Sequence, residues 1–382
     1  MENTNRIFLH KVFKAIADSI IKIFIPLYIL KTTGNINLSI IYISIYSFFV
    51  FIFQIALKRL YQKHNILCII IHCIPIIATQ LMLSFCQINV TICIISALLM
   101  SISQVLYSVP INTIFALNDK KTNVAKFEIA TNTGKIIFTI ISGLLLARLP
   151  NSFIFLSGIA TMIYILSIIP IAKFNTQNRV TASTIPTDYS CNYFFRLYHI
   201  SFSLFQTTID TLIPIYLYVN NLSFEAITTV IALVELFKII ANIIAKKLVS
   251  LKLLKLSCII SFVIFIISLT FILIFKNATL LYIFSSIIAI SFPLSFVPLF
   301  YIFCKQSKTK ADTISDMALR DIDIFAPRGL YYLTFFLGGF TTPIMLGFAS
   351  GISMLISQIK TINSHKREIN NKQFQKNNNI II

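Results

Sequence analysis

Ile25-Pro26-Leu27-Tyr28 recurs later in the chain as Ile213-Pro214-Ile215-Tyr216. The displacement that carries the first onto the second also carries, without a gap, Lys58-Arg59-Leu60 onto Lys246-Lys247-Leu248. It places Gln54 on Asn242 and Val109-Pro110 on Val297-Pro298. A register held over so long a stretch is an internal repeat. Beyond residue 120 it is lost, because the polar loop ahead of the eleventh apolar segment is longer than its counterpart.

The repeat lies in a chain that cannot be soluble. Apolar residues make up 57% of its 382 positions and charged residues only 12%, with a mean hydropathy of +0.85. A bilayer core about 30 Å thick takes roughly 20 apolar residues per helical span, and runs of that length recur from Ile7 to Ile359. They lack the alternation of a lipid-facing β-barrel, so helices remain, which satisfy their own backbone groups in hydrocarbon. Splitting at polar breaks predicts helices 1 to 6 at 7–30, 38–57, 66–86, 90–116, 126–148 and 152–172. Helices 7 to 12 follow at 191–219, 224–245, 256–275, 279–303, 318–339 and 342–360. The last two divide a long uncharged run at Gly338-Gly339-Phe340-Thr341-Thr342-Pro343, where glycine and proline favour a turn.

The charges follow that alternation. Of the 32 Lys and Arg, only Lys31, Arg148 and Lys276 fall on the side away from the N-terminus, and Lys22, Lys135 and Lys238 lie deep within spans. The others lie at or near the N-terminal side, which places both termini in the cytoplasm and makes the span count even. The sequons at Asn37, Asn89, Asn221 and Asn277 all fall on the outer side. A net charge of +19 spread through short loops points to anionic lipid headgroups and not to nucleic acid. The seven cysteines fall mostly inside spans without a Cys-x-x-Cys pair and read as small core residues; no metal site and no cofactor is expected. Met1 to Arg6 lead into a long span with no small-residue cleavage site, which reads as a retained first helix in an inner, cytoplasmic membrane.

Lys58 and Lys246 lie on the same side, so the two copies run parallel. Parallel six-helix repeats related by an axis along the membrane normal describe the major facilitator superfamily, and the whole chain resembles that family. The resemblance implies an all-α membrane fold of twelve transmembrane helices in two six-helix bundles. The halves would be 1–172 and 191–360, joined by a cytoplasmic linker at 173–190 and followed by a polar tail at 361–382. The family's loop signature between helices 2 and 3 is reduced here to Arg59 and Lys63, with Gln54 at its glycine and Lys58 at its aspartate. The first and fourth helices of each half line the central cavity in that family. Those helices carry the matched prolines Pro26, Pro110, Pro214 and Pro298, whose kinks suit gating or are ordinary punctuation of membrane helices.

A charge at the middle of a membrane helix costs roughly 2.5 to 3.5 kcal/mol on insertion scales, so each one needs a partner or water. In helix 1, His10, Lys14, Asp18 and Lys22 share one face. It is either a cavity wall with Asp18 as proton or cation site, or a self-neutralised ladder. The repeat register sets Lys22 opposite Asp210, a pair that could form across the halves in one conformation. Glu235, with Lys238 one turn on, is the leading candidate proton carrier, against a purely structural Glu-Lys pair. Lys135 and Arg328 lie deepest in helices 5 and 11 and could meet an anionic group. Glu128 with its neighbour Asn132, and the cluster Arg320, Asp321 and Asp323, read as interfacial polar groups bracing the cytoplasmic surface; Ser101, Gln104, Tyr107 and Asn112 read as a polar stripe between packed helices. His72 beside Cys73 reads as packing.

There is no phosphate-cradling loop, no His-Glu-x-x-His and no Gly-x-Ser-x-Gly. The expected function is therefore not enzymatic. It is alternating-access transport of a small solute driven by an ion gradient or by the solute's own gradient, with proton coupling the expected mode. The mixed set of Lys22, Lys135 and Lys238 with Asp18, Asp210 and Glu235 favours a zwitterionic or anionic metabolite. Two other classes compete: a transporter-like membrane protein that binds or assembles without transporting, and a membrane-embedded enzyme on lipid-linked substrates.

Overall fold

The computed structural model describes residues 2–118, 123–149, 151–172, 193–250, 252–275, 277–306 and 310–378. The expected linker, Cys191 and Lys276 lie outside them. Every regular element among these residues is a helix, and the helices among them group into twelve passes.

Helices 2 to 6 follow the predicted segments closely. They are Ile36–Ala56, Asn65–Ile71 continued by Cys73–Phe85, Val90–Asn118, Asn123–Arg148 and Ser152–Ala172. Helices 8 to 10 are Phe224–Ser250, Leu254–Ile274, and Ala278–Ile287 continued through Ile288–Ile290 into Ser291–Gln306. Helix 12 is Thr341–Asn378, so the expected polar tail continues the last helix beyond residue 360. The turn before it falls at Gly339, whose φ of +60° favours glycine.

Nine of the passes are long and apolar enough to cross a membrane on those grounds alone. The other three are helices 1, 7 and 11: the first two are interrupted beside a charged residue, and the third carries buried charge along its first half. Helix 1 is Glu2–Ile20, a 3₁₀ turn at Lys22–Phe24, then Ile25–Thr33. Helix 7 is Tyr193–Thr207, a π turn at Thr208–Leu212, then Ile213–Val219. The repeated Ile-Pro motif explains both breaks. A proline ring clashes with the carbonyl four residues back and removes an N–H; four residues before Pro26 is Lys22, and four before Pro214 is Asp210. Each half therefore opens its first helix at a charged residue within the span.

Helix 10 breaks differently from the expectation attached to Pro298. Its 3₁₀ turn at Ile288–Ile290 lies just before Pro293, while Pro298 sits inside the following α-helix and Pro110 inside an unbroken helix 4. Helix 11 begins at Lys310, earlier than predicted, and runs to Leu333. Asp316, Arg320, Asp321 and Asp323 are thus buried inside the bundle and do not brace its surface. Pairing is what lets charge sit there: Arg196 of helix 7 donates to both carboxylate oxygens of Asp323 at 3.1 and 2.8 Å, and Arg320 to Asp321 at 3.0 Å.

Packing repeats as the sequence does. Helix 1 packs on 5 and 6, helix 2 on 4 and helix 3 on 4; in the second half, helix 7 packs on 11 and 12, helix 8 on 10 and helix 9 on 10. The halves join along two seams, helix 5 with 8 and helix 2 with 11. A glycine marks each: Gly143 faces the Thr228 side chain with no room for a Cβ, and a Cβ on Gly329 would lie 3.0 Å from the Phe48 backbone nitrogen. On the face opposite the termini, Arg148 Nε donates to Glu225 at 2.7 Å across the first seam, and the Phe24 and Phe224 rings lie 6.1 Å apart. Met162, Ile165 and Ile169 on helix 6, like Ile137 and Ile141 on helix 5, point outward as a lipid-facing surface.

Candidate functional site

Between the halves lies a cavity of about 360 Å³, bounded by side chains of helices 1, 2, 4, 5, 7, 8 and 11. A second space of about 200 Å³ shares Ile23, Lys135, Asp210, Pro214 and Ile231 with it and extends towards helices 8 and 10. That volume suits a small molecule. Asp18, Lys22, Lys135, Asp210 and Arg328 line the larger space, and Lys135, Asp210, Glu235 and Lys238 the smaller. All seven charged residues singled out from the sequence thus converge on one place, although they come from five helices. Of the four prolines, Pro26 and Pro214 line the cavity, and Pro110 and Pro298 do not.

The charges form a chain. Lys238 donates to Asp210 at 3.0 Å and to Glu235 at 3.2 Å, joining helices 7 and 8. Glu235 lies 4.0 Å from Lys135 of helix 5, so the chain crosses from one half to the other. Asp210 also accepts from Gln206 at 3.1 Å, and Gln206 in turn accepts from Arg328, which donates to Ser203 at 3.0 Å. These bonds explain how ionised side chains are held in the apolar bundle: each of these charges has a partner or faces the cavity.

The first half has its own cluster. Lys14 donates to Asp18 at 2.6 Å, and the Tyr164 hydroxyl donates to the other oxygen at 2.6 Å. The expected ladder on helix 1 is therefore partly neutralised from within, yet Asp18 also faces the cavity. Lys22 stands apart from it, donating to Gln104 at 2.9 Å. Lys22 and Asp210 line the same cavity, but each holds another partner, and no ion pair joins them in this conformation. Pseudo-equivalent positions on two halves share a depth in the membrane; contact between them depends on how far the halves have rotated.

Some neighbours were not visible in sequence. His10 and His72 lie with their ring centroids 6.4 Å apart, both against Tyr107, and Lys14 Nζ sits 4.2 Å from the centre of that ring. His72 is thus part of a buried nest beside Asp18, in which His72 bonds the Ile69 carbonyl and His10 the Ser167 carbonyl. Spacing could link His10 to Lys14, but nothing local could have brought helix 3 to them. Of the helix 4 stripe, Gln104 reaches the cavity, Tyr107 the nest, and Ser101 donates to the Tyr46 carbonyl of helix 2 at 2.8 Å. Asn132 lines the smaller space, whereas the Glu128 side chain lies outside the described residues.

Comparison with known proteins agrees with this architecture. Solved structures share the fold over nearly the whole chain. A bacterial homologue of the iron transporter ferroportin, in an outward-facing state, matches at a TM-score of 0.72 and 12% identity, over 95% of this chain and 100% of its own. The human organic anion transporter MFSD10 matches at 0.68 and 10% identity, over 94% of this chain and 99% of its own. The E. coli fucose:proton symporter matches at 0.68 and 14% identity, over 93% and 97%. No curated protein sequence matches it. The family model for the Major Facilitator Superfamily matches residues 7–315, and with the repeated six-helix halves around a charged cavity this places the chain in that superfamily of membrane transporters.

Proposed function

We propose that the chain moves a small solute across the cytoplasmic membrane by alternating access, coupled to protons, with both termini in the cytoplasm. On this reading the halves are 1–172 and 191–360, and the basic residues of the terminus face rest on anionic lipids. The observation that carries the proposal is the ion chain Lys135–Glu235–Lys238–Asp210, which lines the cavity and crosses the seam between the halves.

The chemistry follows from the charge count along that chain. Glu235 is in contact with cations of both halves, Lys135 and Lys238. Adding a proton to it removes the attraction that reaches across helix 5 to helix 8, and the conformation in which the seam is parted gains in population. Asp210 keeps Lys238 neutralised meanwhile. A proton on Glu235 and a solute in the cavity would act on the same equilibrium, which is coupling in thermodynamic form.

The test is uptake and efflux of a labelled metabolite library in membrane vesicles, with and without a pH gradient, for the parent and Glu235→Gln. Gradient-driven flux in the parent that the substitution abolishes is the expected result. Flux that ignores both the gradient and the substitution would leave a carrier without proton coupling at Glu235, and no flux of any solute would move the reading to a non-transporting membrane protein.

A further inference from the structure

We propose that the central cavity takes an organic anion, and not a zwitterion or a cation, held between Lys22 of helix 1 and Arg328 of helix 11. The inference deepens the reading of this cavity as the solute site and rests on it.

Most of the charges around the cavity already have a counter-charge in contact. Among the described residues, seven charged side chains line the two connected spaces: the cations Lys22, Lys135, Lys238 and Arg328, and the carboxylates Asp18, Asp210 and Glu235. Every carboxylate has a lysine on it. Asp18 has Lys14 at 2.6 Å, Asp210 has Lys238 at 3.0 Å, and Glu235 has Lys238 at 3.2 Å and Lys135 at 4.0 Å. Lys22 and Arg328 are the two that hold only neutral acceptors, the Gln104 amide oxygen for Lys22 and the Ser203 hydroxyl and Gln206 amide oxygen for Arg328. Arg328 uses Nε and Nη2 in those bonds and keeps its Nη1 hydrogens for another acceptor.

The two cations are connected by rings. Lys22 Nζ lies 5.9 Å from the centre of the Tyr46 ring, Arg328 Cζ 5.1 Å from that of Phe325, and Tyr46 meets Phe325 edge-on at 6.3 Å. Tyr46 is on helix 2 and Phe325 on helix 11, so this arc spans the second seam, and all four residues line the larger space. Half-buried cations beside aromatic faces make a site for an anionic head with a planar or apolar body.

The same geometry disfavours the other classes. A cation would meet two positive charges that no carboxylate touches. A zwitterion needs a carboxylate free to take its ammonium group, and all three are engaged. A neutral solute would leave the two cations as they are, without a gain for entering. An anion alone supplies the missing counter-charge, and because Lys22 and Arg328 belong to opposite halves, it would also tie the halves together.

The test is thermal stabilisation of the purified full chain in lipid nanodiscs by probes sharing one phenyl body: benzoate, phenyl phosphate, benzamide, benzylamine and phenylalanine. The anions should raise the melting temperature in a saturable way while benzamide, benzylamine and phenylalanine do not. Lys22→Gln should weaken the anion's apparent affinity by about 10- to 100-fold, the loss of one charge-assisted hydrogen bond, and Lys22→Arg should retain most of it; Arg328→Gln should act like Lys22→Gln. The contrast between probes on the parent protein needs no variant to fold. Stabilisation by benzamide, benzylamine or phenylalanine equal to that by the anions, no response to either anion, or an anion response untouched by Lys22→Gln would each overturn the proposal. Binding is read at equilibrium, so anion binding without flux in vesicles would leave this site standing and remove transport, whereas flux of a neutral or cationic solute without anion binding would do the reverse.

Discussion

Replacing Lys238 with Met should cost more stability than any other single change in the cavity, because one ammonium group holds two carboxylates. Its Nζ lies 3.0 Å from Asp210 and 3.2 Å from Glu235, and its side chain is 9% exposed against 6% for Glu235 and 31% for Asp210. At an effective dielectric of about 20, a unit charge pair at such a distance attracts by about 5 kcal/mol, and most of that offsets the desolvation of the charges. Removing one partner of a buried pair typically costs about 3–5 kcal/mol, because the other charge is left behind. Asp210 faces the cavity and can be solvated there, so Asp210→Asn should cost only about 1 kcal/mol. In the double variant Lys238→Met/Asp210→Asn, Glu235 keeps Lys135 and the amide that replaces the Asp210 carboxylate carries no charge, so the combined loss should fall short of the sum by at least about 1 kcal/mol. Equilibrium unfolding in mixed detergent–dodecyl sulfate micelles, followed by loss of helical circular dichroism, measures all three. Additivity within about 0.5 kcal/mol would show that the two residues do not share a network and would refute the ion chain.

Other consequences are simpler. Gly143→Val forces a side chain into Thr228 at the helix 5–8 seam and should lower stability by about 1–3 kcal/mol, with partial relief from Thr228→Ala in the same unfolding assay. Tyr164→Phe removes the hydroxyl that donates to Asp18 at 2.6 Å from a fully buried position; a loss of about 1.5–3 kcal/mol is expected, and an unchanged unfolding midpoint would refute that bond. Pro214→Ala restores the missing N–H and lets the π turn at Asp210 close into α-helix, so vesicle flux should fall while stability stays within about 1 kcal/mol of the parent.

The parts of this fold that were legible in the sequence are those set by local rules. Apolar run length located the helices, and the prolines repeated in register marked helices 1 and 7 as kinked, but not where: the breaks at Lys22 and Asp210 lie the four residues back that the ring clash reaches, and Pro110 and Pro298, repeated in the same way, break nothing. The charged site residues were visible because charge is rare in such segments. What sequence could not supply was partnership. Glu235 and Lys238 are neighbours on one helix, but Lys135 reaches Glu235 only through the packing of helix 5 on helix 8. Lys22 and Asp210 match in the repeat and still bond elsewhere, since register fixes depth and not contact. Helix 11 began early because Asp316, Arg320 and Asp321 resemble a loop until their burial and pairing are seen. The break in helix 10 belonged to Pro293, which the repeat did not single out.

Transport through this cavity requires that the two halves part and close around it. The distance between spin labels at Arg148 and Glu225, which here meet at 2.7 Å on the face opposite the termini, reports that motion. The seven native cysteines would first be replaced, and the protein held in lipid nanodiscs. Pulsed electron–electron double resonance should show two populations, a short one matching this structure and a longer one from parted halves, with Glu235→Gln shifting weight to the longer. A single short distance at every pH, unchanged by Glu235→Gln, would contradict it.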